Sequence, residues 1–157
     1  MKKSQYIITI FGLWLAGCSS TDKPQDLSEA KLVIDKDDNG SLMRIGYMLD
    51  GKETGEWKSF VRERLAAVVN YKDGLQHGKE TWFDKCSGRI IEEGYNEMGT
   101  SIGLWYRYTN GELVAVSEFK NDTSEIVYHN PKFKNAGEIP PPPSERYNDD
   151  CDEFNDY

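Results

Sequence analysis

The chain has 157 residues, with 19 basic and 27 acidic side chains, a net charge of −8 and 38% hydrophobic residues. That length bounds it to one domain with tails. The acidic balance disfavours nucleic acid and anionic lipid surfaces as partners, since both need concentrated positive charge.

Residues 1–17 read as an export signal. Lys2 and Lys3 form a positive start, Tyr6 to Ala16 an apolar run of 11 residues, and Ala16-Gly17 a small-residue exit before Cys18. Eleven residues are too few for a membrane span, which takes about 20. The run Leu15-Ala16-Gly17-Cys18 resembles the lipobox of bacterial lipoproteins. The resemblance implies cleavage before Cys18, acylation (palmitate) of that cysteine and a membrane anchor. Ser19 and Ser20 follow, with no aspartate after the cysteine, which in such lipoproteins implies the outer membrane, facing the periplasm. Each buried methylene of the acyl chains adds ~0.8 kcal/mol, so several chains anchor stably. Processing leaves 17 basic against 27 acidic residues, net −10, and a basic protein partner suits that charge.

Residues 18–30 are polar and aperiodic, a lipidated tether. From 31 to 128 short apolar and aromatic runs alternate with turn signals, which predicts an all-β domain. The predicted strands are 31–35, 42–48, 55–61, 66–72, 79–84, 89–95, 104–109, 112–119 and 124–128. The predicted turns are Asp38-Asn39-Gly40, Asp50-Gly51, Asp73-Gly74, Ser87-Gly88 and Asn110-Gly111, pairs that tolerate the positive φ of tight hairpins. Arg62 to Val69 is rich in helix formers and lacks a glycine. The repeat register runs straight through it, and it is read as strand. Residues 129–143, ending in four prolines, read as a semi-rigid linker. Residues 144–157 carry six acids against one arginine: either a solvating tail or an acidic clamp whose aromatic residues dock on a partner.

Tyr47, Tyr71, Tyr95 and Phe119 recur every 24 residues. A glycine pair lies near each of the first three, Gly51/Gly55, Gly74/Gly78 and Gly99/Gly103, with Phe60, Phe83 or Tyr108 five residues after the second glycine. A period of this size denotes an array of one small unit, and arrays serve as binding surfaces. The units resemble MORN-type repeats, in the bacterial variant of the YwqK-type antitoxin family, with the pattern G-x-x-x-G-x-W-x-x-[FY]. The resemblance covers residues 46 to about 119. Glu80 departs from it, standing where the other units have Trp57 and Trp105. The glycine pairs are expected to turn the chain and let hairpins approach. The aromatic side chains are expected to line one face of an antiparallel sheet of stacked hairpins, roughly 40 Å wide for nine strands.

Three chemical motifs occur in part. Gly99-Thr-Ser101-Ile-Gly103 spells a nucleophile elbow, but its glycines are the repeat's own pair and no helix former run follows. Asp35, Asp37 and Asn39 fit half a calcium loop, but Gly46 stands where the closing glutamate belongs, so an acidic hairpin turn is expected. His77 and His129 are isolated, and Cys86 and Cys151 lie far apart, which gives no zinc pattern. With Cys18 acylated, Cys86 and Cys151 form either a disulfide or two free thiols. No catalytic residue, metal or cofactor is assigned. The expected function is non-enzymatic protein binding, and the family resemblance implies an antitoxin or immunity role against a basic toxin. The candidate contact residues are Glu53, Glu56, Trp57, Asp73, Glu80, Trp82, Glu97 and Trp105, with Glu92 and Glu93 adding charge. The alternative is a structural or lipid-contacting envelope scaffold.

Overall fold

The structure is a computed structural model that describes residues 28–120 and 123–133. The export signal, Cys18, most of the tether, the proline run and the acidic tail with Cys151 lie outside the described residues. Nine strands follow one another as a single antiparallel sheet in chain order: β1 (Lys31–Lys36), β2 (Leu42–Leu49), β3 (Lys52–Val61), β4 (Arg64–Lys72), β5 (Leu75–Phe83), β6 (Ile90–Glu97), β7 (Thr100–Thr109), β8 (Glu112–Lys120) and β9 (Thr123–His129). No helix occurs among the described residues. The fold is therefore the predicted antiparallel array of hairpins. The ambiguous segment 62–69 is a turn followed by strand β4.

The turns explain the strand lengths. At Asp50-Gly51, Asp73-Gly74, Met98-Gly99 and Asn110-Gly111 both residues have positive φ, from 47° to 86°. That is the two-residue turn whose twist matches the flanking strands. Arg62-Glu63 adopts the same turn without glycine, at 49° and 64°. Its φ values put side chains where they crowd the backbone, so no composition signal announces it.

The glycine pairs work differently from expectation. Only the first of each pair sits in a turn. Gly55, Gly78 and Gly103 lie inside strands, with φ of 65°, 104° and 64°. In each unit the register skips there. Ile45 pairs Lys58 and Tyr47 pairs Thr54, so Gly46 alone faces residues 55–57. Asn70 faces 77–79 and Gly94 faces 103–105 in the same way. These bulges recur every 24 residues, which is the physical content of the period.

Two rows cross all nine strands. One runs Ile34, Ile45, Lys58, Val68, Thr81, Glu93, Tyr106, Val116 and Tyr128. Its chain neighbours form the other, Asp35, Arg44, Ser59, Ala67, Trp82, Glu92, Arg107, Ala115 and His129. Successive strand residues alternate sides, so these rows mark opposite faces. The second is the indole face, because Trp57, Trp82 and Trp105 share it; the first is the tyrosine face.

This assignment corrects the expected single aromatic row. Tyr47 and Tyr95 stand three residues before their turns, Tyr71 only two. A one-residue offset moves a side chain to the other face. Tyr71 thus joins the indole face, where it meets Trp57 edge-on at 6.4 Å between centroids. Phe119 likewise meets Trp105 at 5.7 Å. Tyr47 and Tyr95 remain on the tyrosine face, exposed. The true structural repeat is four strands and 48 residues, with Trp57 and Trp105 as equivalents.

Most of the core sits on the indole face, with Thr54, Thr81 and Val116 buried on the other. Trp57 is 2% exposed, and Val69, Ala67, Ala115 and Trp105 are buried beside it. Trp57 lies flat over Gly46 and Trp105 over Gly94, where a Cβ on either glycine would overlap the indole. Residues 130–133, outside the repeat, turn back onto β8. Asn130 N and Nδ2 donate to the Val114 and Leu113 carbonyls at 2.8 and 2.7 Å, and Phe133 packs on Val114. The first residues of the expected linker, 130–133, are therefore part of the folded domain.

Candidate functional site

The eight residues proposed as a contact surface divide by burial. Trp57, Trp105 and Glu80 are buried in the sheet's own packing, as is Glu92. A partner cannot reach them, and they leave the candidate set. Trp82 is half-buried, its Nε1 donating to Glu80 Oε1 at 2.6 Å. Glu53 is half-buried and paired with Arg44, whose guanidinium lies 4.5 Å from the Trp57 ring centroid. Glu56, Asp73 and Glu97 are exposed.

Most polar side chains of the indole face pair with one another. Trp57 Nε1 donates to the Tyr47 carbonyl at 3.0 Å. Glu92 accepts two bonds from Arg107, at 3.0 and 2.8 Å, a forked charge pair across β6 and β7. Glu80 occupies the middle of the face at 5% exposure. Trp82 and Asn96 donate to its two oxygens, and Ser101 Oγ donates to Asn96 Oδ1 at 3.0 Å. Burial pushes the Glu80 carboxyl above its ordinary value, the two donated hydrogen bonds oppose the shift, and the Glu92 charge adds to it. Ser101, the serine of the elbow-like motif, thus sits at the start of β7 in a structural hydrogen bond rather than on a strand-to-helix turn.

The tyrosine face is the open one. Tyr47 and Tyr95 are 44% and 54% exposed, and Ile102, which pairs with Tyr95, and Leu104 are 38% and 42% exposed. Leu32 and Ile34 of β1 extend the apolar surface beyond Tyr47 and are also exposed. Polar groups interrupt it. Lys79 pairs with Glu93 at 2.8 Å, and Tyr108 donates to the same carboxylate at 3.1 Å. The Lys79 hydrogen bond holds the Glu93 carboxyl below its ordinary value and raises Lys79 in return.

One edge of this face carries the turns 50–51, 73–74 and 98–99 side by side. Backbone bonds join them: Gly74 N to Glu53 O at 3.0 Å and Gly99 N to Gln76 O at 2.8 Å. Asp50, Asp73 and Glu97 are exposed along that edge, with Leu75 and Met98 between. Asp73 and Glu97 were among the expected contact residues; Asp50 was not, nor were Tyr95, Ile102 and Leu104. Their alternation with buried residues was the available signal; the shared face depends on the register slip.

Asp35 lies in β1, and Asp37 and Asn39 lie in the β1–β2 turn. Asp37 Oδ1 accepts from Asn39 N at 2.9 Å and Ser41 N at 2.8 Å, an acidic turn as expected. At the opposite end from the three aligned turns, Cys86 is disulfide-bonded, and no second cysteine lies among the described residues. Compared with models of protein families the chain matches none, and no curated protein is similar to it.

Proposed function

We propose that this protein is a non-enzymatic lipoprotein of the outer membrane, anchored through Cys18, that binds another protein in the periplasm. Contact with one partner would occlude it, as an antitoxin or immunity protein does; the repeat resemblance supplies that narrower reading. The observation that carries the proposal is the tyrosine face: large apolar side chains stay exposed on an open sheet, beside an edge of acidic turns. Exposed apolar patches on soluble domains mark interaction sites. Aromatic residues make the strongest anchors, and rim acids steer a basic partner. Most polar groups of the indole face, by contrast, are spent on one another.

The test is co-expression with an effector encoded beside this gene. The protein is expected to restore growth, and Tyr47→Ala/Tyr95→Ala to abolish the rescue without lowering the melting temperature. Rescue that survives both substitutions sinks the assigned face; failure of the intact protein to bind any neighbouring effector sinks the immunity reading. The same apolar face suits a lipid-contacting scaffold. That reading gains if a chain lacking its acyl group sediments with vesicles of neutral phospholipid.

A further inference from the structure

The end of the sheet opposite the aligned turns holds a cleft whose described lining carries two cations and no acid. Arg64, Lys85 and Cys86, with Leu65 and Phe83 as apolar walls, line an open cleft of about 380 Å³. Arg89 flanks it and donates to the Asn110 carbonyl at 3.2 Å, tying the 84–89 turn to the β7–β8 turn. Asp84, the acid of that turn, is consumed by the Cys86 and Ser87 amides and the Ser87 hydroxyl. A chain of net charge −8 that gathers cations around a bonded cysteine has a particular occupant in view.

We propose that Cys86 is bonded to Cys151 and that residues 149–154 fill this cleft, strapping the C-terminal segment across the end of the sheet. The segment reads Asp-Asp-Cys-Asp-Glu-Phe. It brings four carboxylates to the cations and one phenyl ring to the apolar walls. The path is available. Phe133 packs on Val114 at the start of β8, and Lys132 pairs with Glu112 at 2.8 Å, so the described chain leaves from this same end. The gap from β8 to β5 is three strand spacings, about 14 Å. Residues 134–150 reach up to roughly 55 Å when extended. The site is thus one for an acidic, aromatic peptide, with the chain's own tail as occupant. The inference is independent of the proposed partner.

The full chain, purified without reductant and digested, is expected to yield a Cys86 peptide joined to a Cys151 peptide. Cys86 found free, joined to Cys18 or joined to a second chain overturns the proposal. Docking is read separately from the bond. Two glutathione thiols open the disulfide, supplying two electrons and two protons and leaving as glutathione disulfide, and the midpoint gives the effective concentration of the two thiols. Arg64→Glu/Lys85→Glu is expected to lower it roughly tenfold, since docking raises effective concentration beyond a bare tether. Arg64→Ala/Lys85→Ala, a milder pair that spares the fold, is expected to lower it about threefold. An unchanged value in a folded variant overturns the docking even where the bond exists.

Discussion

The first and third repeat units bury an indole where the middle unit buries a carboxylate. Trp57 and Trp105 each lie over a glycine of the preceding strand, Gly46 and Gly94. In the middle unit Asn70 holds the bulge position and Val69 faces the core opposite both Trp57 and Glu80. With a side chain beneath it, no flat bed for an indole exists. Glu80 takes the place and is held by Trp82 and Asn96 instead. The flanking units therefore draw stability from apolar area, and the middle one from hydrogen bonds that specify register. The lesson is that equal spacing does not make equal units; the residue beneath each bulge decides what can be buried above it.

The largest effect should come from removing an indole. Trp57→Ala is expected to destabilise by about 3–5 kcal/mol, from lost burial and the cavity left behind. Trp105→Ala should lose somewhat less, because Trp105 Nε1 has no hydrogen-bond partner among the described residues whereas Trp57 Nε1 has one. Urea midpoints measure both, and equal losses would remove that distinction.

Filling the bed comes next. Gly94→Ala drives a methyl into the Trp105 indole and is expected to lose about 1–3 kcal/mol. Asn70→Ala, at the equivalent bulge of the middle unit, should lose less, since only its bond to the Lys79 carbonyl disappears. The reverse ranking by thermal melting would break the comparison.

A gain is expected at Arg62-Glu63, the one two-residue turn without glycine among the described residues. Arg62→Asn/Glu63→Gly relieves two residues at positive φ and should stabilise by roughly 1 kcal/mol. The same denaturant series detects it, and a loss would mean that the Arg62 side chain contributes more than its backbone strain removes.

The subtlest test is a slope. Burial raises the Glu80 carboxyl above its ordinary value near 4.5. Between that value and the raised one the folded protein holds a proton that the unfolded chain has released. Stability from this group accordingly falls as pH rises through the window and stays reduced above it. Glu80→Gln keeps two hydrogen bonds if the Asn96 amide turns over, and it removes the titration. Its unfolding free energy should lack that decline between pH 4 and 8. Identical slopes in both proteins would show that Glu80 stays ionised.

Much of the architecture was legible in the sequence. Asp-Gly and Asn-Gly pairs located hairpin turns, and alternation located nine strands, of which β5 and β7 were placed to start late, at 79 and 104, because Gly78 and Gly103 look like turn residues. Arg62-Glu63 was illegible as a turn, because tertiary pairing of β3 with β4 imposes it against local preference. Site residues fared worse. Trp57, Trp105 and Glu80 carry the repeat pattern, and a pattern repeated for packing looks the same in sequence as one repeated for binding. Tyr95 and Ile102 lay inside the recognised period, yet the period says nothing about which side of the sheet they face.

The sequence by itself determined the strand order, the hairpin connections and the spacing of the bulges, since each follows from local backbone preference and short-range pairing. Only the tertiary structure decided which face each aromatic joins and which are buried. That outcome depends on side-chain parity accumulated across neighbouring strands, where a one-residue slip in the middle unit sends Tyr71 to the core and leaves Tyr47 and Tyr95 in solvent.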